Sequence, residues 1–411
     1  MKKEKRVVWF LLFVTLGGII GRIFLWDIET SDMGVYLRWY GRAEEYGGLP
    51  GLYAIGQKIK GYNALFQLLV AALTHIPGEA IYKLKATWLF FDILLAAGVG
   101  RFVFENLKAG EEKRIEYASL SYAFCFLSMS VIFNSSAWGQ SDSVYIALII
   151  WSLVFLFRKK YFRSFLLLGT AFAFKLQTVF ILPFYAFYYL YEAKFSLLYF
   201  LEVPLMFVLS VLPRQIVGLI SPIRAEVSAK SAKSAITGVK FIDVYLNQIL
   251  SGGKMYMEYP SFWSFLPDED AVPGGFLDFY KFRIVAVLFA FLLLGTLIYV
   301  ILEKKQKMET AGLVFTAFLL SFTTVFFLPC MIDRYGYIYE ILALMLVFFD
   351  KRTLIPALAL YITNYYMYAG RVGIETLPVS NRVLSFIWLM LYAVYLVIFF
   401  SDRKEKAHAG V

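Results

Sequence analysis

Apolar runs of bilayer length recur from one end of this chain to the other, and they leave it few ways to fold. About twenty apolar residues cross a hydrocarbon core as a helix, and a backbone in lipid must satisfy its own polar groups. The runs fall at 7–26, 62–77, 82–104, 117–133, 143–157, 161–174, 178–192, 195–213, 282–302, 310–329, 336–349, 353–369 and 383–400. Composition agrees. Of 411 residues, 60% are hydrophobic, 19% aromatic and 17% charged, where an ordinary soluble domain carries roughly 25% charged residues. The reading is an all-α, polytopic transmembrane protein whose residues 1–411 form a single integral membrane domain.

The net charge is +10, but its placement argues against nucleic acid as a partner. The basic residues lie in short connections: at the N-terminus, at Arg158–Lys160, Lys194, Lys304–Lys307, Lys351–Arg352 and Arg403–Lys406. No basic stripe interleaved with exposed aromatics marks a nucleic-acid surface. Clusters of this kind mark the cytoplasmic side of a plasma-membrane protein. Both termini then lie in the cytoplasm, with the first run, ending near Trp26, as an uncleaved span. An even number of crossings follows, so the thirteen runs give about 12 spans, within a range of 11–13. The weakest run is 62–77, which is short and holds Asn63, Gln67 and His75. The pair 161–174 and 178–192 reads as two half-helices meeting at Lys175-Leu-Gln177. Cys125, Cys330, His75 and His408 show neither metal-ligand spacing nor a disulfide framework.

This topology gathers the uncommon polar segments on the outer face: 27–61, 134–142, 175–177, 330–335 and the large loop 214–280. The string Asn134-Ser-Ser-Ala-Trp-Gly-Gln-Ser-Asp142 stands out. Polar groups in such a setting are expensive unless they line a cavity or the water edge. Asn134, Gln140 and Asp142 offer hydrogen bonds to sugar hydroxyls, and the Trp138 ring offers a sugar a face. Ser141 or Asp142 is equally suited to capping the next helix. In the first outer loop Asp27, Glu29 and Asp32 precede an aromatic stretch, Tyr36 to Tyr46, that suits interfacial helices. A carboxylate there is placed to act as a general base on a hydroxyl, or simply to solvate the loop. Lys175, with Gln177 beside it, is a candidate for a phosphate or for snorkelling to headgroups. Arg334 suits bidentate phosphate binding or a local pair with Asp333. Arg22 is a further phosphate candidate, and equally a snorkelling one. The acidic triplet Asp268-Glu-Asp270 reads as a solvated turn between prolines rather than a metal site.

Taken together these segments resemble the GT-C glycosyltransferases, and most closely bacterial relatives of the GPI-anchor second mannosyltransferase. The string from Asn134 to Tyr145 is similar to that group's most recognisable motif. Ala173-Phe-Lys-Leu-Gln177 ahead of Phe180-Ile-Leu-Pro183, then Tyr245-Leu-Asn-Gln248 and Tyr259 to Pro267, follow in the same order. Phe327-Leu-Pro-Cys-Met-Ile-Asp-Arg-Tyr335 resembles a segment that usually reads Leu-Pro-Arg-Met-His-Glu-Arg-Tyr. Here Ile332-Asp333 replaces His-Glu, and Cys330 replaces the Arg after Pro. The resemblance implies an inverting hexosyltransferase, mannosyltransferase-like, using a polyprenyl-phosphate sugar donor. Its acceptor would be a glycan or a lipid-linked cell-envelope molecule on the outer face. By position Asp32 matches the family's catalytic aspartate, with Asp27 and Glu29 as alternatives. Arg334, Lys175 and Arg22 would hold the lipid phosphate. Trp138, Gln140, Asp142, Asn134 and Gln177 would hold the sugar, with Asp333 and Tyr337 in support. Side-chain cations can stabilise a leaving phosphate, so the chemistry requires no cofactor, though a divalent metal is compatible with it. The loop 214–280 would close over substrate. A transporter or flippase for a lipid-linked sugar is the competing expectation, since it needs the same ligands.

Overall fold

The structure, a computed structural model, describes residues 2–59, 61–192, 195–220, 244–245, 255–257, 259–266, 279–303, 308–375 and 379–408. Most of the expected loop 214–280, with Asp268-Glu-Asp270 and Asn247-Gln248, lies outside the described residues, as do Lys194 and Lys304–Lys307. Among the described residues all named elements are helical, and one parallel bridge joins Met257 to Ile332.

Chain order gives α1 (Lys2–Ile23), α2 (Ser31–Glu45), α3 (Leu52–Lys58), α4 (Ala64–Leu73), α5 (Ala80–Asn106), α6 (Glu111–Phe126), α7 (Met129–Ile132), α8 (Asp142–Phe157), α9 (Tyr161–Phe174), α10 (Leu182–Glu192) and α11 (Glu202–Ile220). There follow α12 (Phe279–Glu303), α13 (Thr310–Phe327), α14 (Tyr337–Val347), α15 (Leu354–Arg371) and α16 (Asn381–His408). Six helical stretches among the described residues are long and apolar enough to cross a membrane: Lys5–Ile23, Ala80–Asn106, Leu197–Ile220, Phe282–Glu303, Thr310–Phe327 and Asn381–Ser401. A seventh is the pair Glu111–Phe126 and Met129–Ala137, bent by 45°, if it counts as one span. The expected count was about twelve. The difference arises because α15, from run 353–369, is not apolar enough to count, and because runs 62–77, 143–157, 161–174, 178–192 and 336–349 form α4, α8, α9, α10 and α14, of 10, 16, 14, 11 and 11 residues. At 1.5 Å per residue these fall short of a core of about 30 Å.

The apolar surface is turned outward where lipid would lie. Trp9, Phe13 and Phe24 on and just after α1, Leu288 and Leu292 on α12, and Val397 on α16 are all exposed. Such a belt far exceeds what soluble monomers show. By contrast, 78% of the apolar window of α13 is buried, so α13 lies in the interior. The interior packs α5 against α6 and α8, α8 against α9, and α9 against α11.

Two local features aim the polar segments at one another. Lys85 on α5 donates from Nζ to the carbonyls of Leu25 (3.2 Å), Trp26 (2.8 Å) and Ile28 (2.7 Å), fixing the chain that leaves α1. These carbonyls lie in the turn just past the C-terminal end of α1, where a cation is well placed. The chain then enters α2 with Thr30 as cap: its Oγ1 accepts from Met33 N–H (3.2 Å) and donates to the Trp138 carbonyl (2.7 Å). One hydroxyl therefore starts the helix carrying Asp32 and ties it to the distant polar string. The amphipathic α2, in the segment 27–61, buries Met33, Tyr36, Tyr40 and Ala43.

Candidate functional site

The polar string does not continue the helix before it. Phe133–Ala137 forms a π-turn, closed by Trp138 N–H to Phe133 O (2.7 Å), and Gln140 N–H reaches back to Asn134 O (2.7 Å). Such a turn widens the backbone, and it recurs at functional sites. Gly139 completes it with φ +79°, and a Cβ there would meet Met33 Sδ at 2.7 Å. Only glycine satisfies both the left-handed conformation and the close approach of α2.

At this junction three carboxylates meet three cations. Asp32 Oδ2 accepts from Trp138 Nε1–H (2.9 Å), from the Gln140 amide (2.5 Å) and from Arg334 Nη1 (3.4 Å). All three donors converge on Oδ2. Asp32 is 38% exposed, and among the described residues none bonds to Oδ1. Behind it, Asp142 Oδ1 accepts from Lys175, and Oδ2 accepts from Asn134 Nδ2 (2.9 Å). Lys175 and Asp142 are 5% and 1% exposed, so this ion pair is buried. Arg334 bridges the two layers: its Nε lies 3.7 Å from Asp142 Oδ2 and its Nη1 3.9 Å from Asp333 Oδ1. None of its contacts to these three carboxylates is a short bond, so its donors remain available to a stronger anion. Tyr36 completes the wall, donating to Gln140 Oε1 (3.1 Å) and bonding the Tyr62 hydroxyl (2.6 Å).

The third cation, Arg371 at the end of α15, is bonded to Asp333 Oδ2. The guanidinium carbons of Arg334 and Arg371 lie 5.4 and 5.8 Å from the Trp138 ring centre, and Tyr368 meets the same ring edge-on at 5.9 Å. Sequence reasoning missed Arg371. Its only signal is a lone arginine directly after the run 353–369. Burial pushes the Asp333 carboxyl up to about 7, against the opposing pull of Arg334.

Most expected residues are brought together, with altered roles. Trp138 is 2% exposed and its ring is covered by the two guanidiniums and Tyr368, leaving no open face for a sugar. It orients Asp32 instead. Asn134 and Asp142 are buried and shape the turn. Lys175 does not snorkel, because Asp142 holds it. Gln177 is in the irregular segment between α9 and α10, and its Oε1 has no hydrogen-bond partner. Ser141 precedes α8 but makes no side-chain cap bond, and its buried hydroxyl has no hydrogen-bond partner. Asp27 instead accepts from Tyr82 (2.7 Å), and Glu29 lies over the first turn of α2 beside Gly34. Asp32 is the acidic residue of this loop that reaches the cluster.

Arg22 and Tyr337 lie elsewhere. Arg22 is fully buried: Nε bonds Asp92 Oδ2 (3.1 Å), Nη1 bonds Gly18 O (3.1 Å) and Nη2 bonds Phe126 O (2.6 Å). It neither snorkels nor reaches the cluster. Asp92 in turn accepts from Ser135 Oγ (2.6 Å), within the polar string, and from Ser143, just after it. Tyr337 is buried with its hydroxyl unbonded. Asp92 was legible in principle as a lone carboxylate inside the apolar run 82–104, the kind of residue that marks function or structure in a membrane. Among the described residues no group of three or more His, Cys, Asp or Glu is placed to hold a metal ion. No protein-family model, curated protein or solved structure matches this chain.

Proposed function

We propose that this protein is a membrane glycosyltransferase that moves a sugar from a polyprenyl-phosphate donor to a hydroxyl of a glycan or lipid-linked acceptor. The supporting observation is the partly exposed Asp32 carboxylate, whose Oδ2 is held by three donors from two distant segments while Oδ1 is free to accept a proton. A carboxylate oriented in this way is suited to general-base work. The acceptor hydroxyl gives its proton to Oδ1 as its oxygen bonds the anomeric carbon. The bond from that carbon to the lipid phosphate breaks on the opposite side, with inversion. Arg334 and Arg371 stand ready for the negative charge on the departing phosphate. Lys175 acts one layer back, neutralising Asp142 so that the string keeps its shape. In this reading the cluster faces the outer side of a plasma membrane, with both termini inside, as the distribution of basic residues suggests.

The test is purified protein in nanodiscs, supplied with a panel of polyprenyl-phosphate sugars and a lipid-linked acceptor, with product read by mass spectrometry. Asp32→Asn should abolish transfer and leave donor binding largely intact. Wild-type turnover by that variant removes Asp32 as the base. Transfer from nucleotide sugars alone refutes the donor, and movement of the donor across the bilayer without bond transfer points to the transporter.

A further inference from the structure

Arg101, Arg114, Arg158 and Arg163 gather at the end of the helix bundle away from the cation cluster. α8 begins at Asp142, in the cluster, and its 16 residues put Phe157 about 24 Å away. α5 and α9 run the same distance, with Lys85 and Lys175 at the cluster end and Arg101 and Arg163 toward the other. Glu105 is bonded by both Arg101 and Arg158. Arg114 and Arg163 make no ion pair among the described residues, and Arg114 Nε is buried without a partner. The Phe104 ring centre lies 5.9 Å from the Arg101 guanidinium carbon and 4.9 Å from that of Arg114. The Phe155 ring centre lies 5.7 Å from that of Arg158 and 5.8 Å from that of Arg163. Two aromatic faces and one carboxylate therefore hold four like charges together. Burial and the charges of Arg101 and Arg163 pull the Arg158 guanidinium below its ordinary value, so the cations still repel one another. The neighbouring Lys159 and Lys108 are each paired, with Glu192 (3.0 Å) and Glu309 (3.1 Å).

An apolar lane leads from these arginines toward the middle of the bundle. Trp151 Nε1 donates to the Leu94 carbonyl (2.9 Å), and a Cβ on Gly98 would lie 3.0 Å from the same nitrogen. The indole therefore lies in the groove between α5 and α8, one turn before Arg101, with the Phe155 ring 6.5 Å from it. Trp151 and Phe155 are half-buried, and Phe162, next to Arg163, is 58% exposed.

We propose that this surface binds an anionic glycerophospholipid, of the class of phosphatidylglycerol, in the leaflet opposite the candidate site. Arg101, 47% exposed, and the exposed Arg163 donate to the phosphate oxygens, and an acyl chain runs over Phe155 and Trp151. The surplus of cations selects a headgroup of net negative charge. A choline or ethanolamine ammonium would meet only Glu105, which two arginines already engage. The lane selects a lipid over free phosphate, which gains nothing from the two rings. The site shares no residue with the cation cluster, and its occupancy does not depend on the transfer reaction.

The experiment is photolabelling of the full protein in phosphatidylcholine nanodiscs doped with phosphatidylglycerol carrying a diazirine beside the glycerol, against phosphatidylcholine carrying the same group at equal mole fraction. Label from the anionic lipid is expected on 94–104 and 148–163, about tenfold above that from phosphatidylcholine. Arg101→Gln and Arg163→Gln should each lower that preference about fivefold, the attraction of one basic residue to an anionic headgroup, and Arg163→Lys should keep it. Equal labelling by the two lipids on the wild type overturns the proposal. So does anionic label spread evenly over the other basic connections, or label on these segments lost to excess inorganic phosphate. These outcomes are read on the wild-type protein even if a variant fails to fold.

Discussion

Replacing Asp92 with leucine tests the bracket behind the polar string. Asp92 and Arg22 are both fully buried and meet at 3.1 Å. Removing one partner of a buried pair leaves an uncompensated charge and costs about 3–5 kcal/mol. Arg22 keeps two carbonyl acceptors and the Phe126 ring at 4.1 Å, and Ser135 keeps the Val131 carbonyl at 2.9 Å. The loss should therefore fall near the lower end, about 3 kcal/mol. Arg22→Leu alone strands Asp92 and should also cost about 3 kcal/mol, whereas the double variant removes both charges and should lie within about 1 kcal/mol of the wild type, a coupling of about 5 kcal/mol. The assay is reversible unfolding in mixed micelles titrated with denaturing detergent, followed by tryptophan fluorescence, for the wild type, both single variants and the double. An Asp92→Leu variant within about 0.5 kcal/mol of the wild type, or a coupling near zero, would falsify the claim that this pair holds the string from behind.

Other substitutions probe the cluster directly. Gly139→Ala should cost about 1–3 kcal/mol of stability, since φ is +79° and the added Cβ would strike Met33; it should also reduce turnover by displacing α2, read by the same unfolding assay and by initial rates. Arg371→Gln should weaken donor binding by about ten- to a hundredfold, measured as KM with polyprenyl-phosphate sugar, because one charged donor to the phosphate is lost. Burial raises Asp333 to about 7, so lowering the pH through that value removes a negative charge from the cluster and should tighten anion binding, an effect that Asp333→Asn removes. The sign for stability follows: with the folded value raised above an unfolded one near 4, this group's contribution is greatest in acid and is lost as pH rises toward about 7.

The apolar runs by themselves determined that this chain is helical and belongs in a membrane, because the period and length of hydrophobicity leave a backbone in lipid little else to form. The polar interruptions likewise marked where the cluster would be: Asp32, Asn134, Gln140, Asp142, Lys175 and Arg334 all converge in space. The pairing of these groups was not legible. Lys175 and Asp142 are far apart in sequence, and only packing of α8 on α9 decides that each neutralises the other instead of meeting a ligand. Packing likewise covers the Trp138 ring, removes Arg22 to Asp92 and brings in Arg371 from the end of α15. A sequence shows which residues are expensive to bury, but which partner offsets that expense depends on distances of a few ångströms between segments that only the tertiary fold brings together.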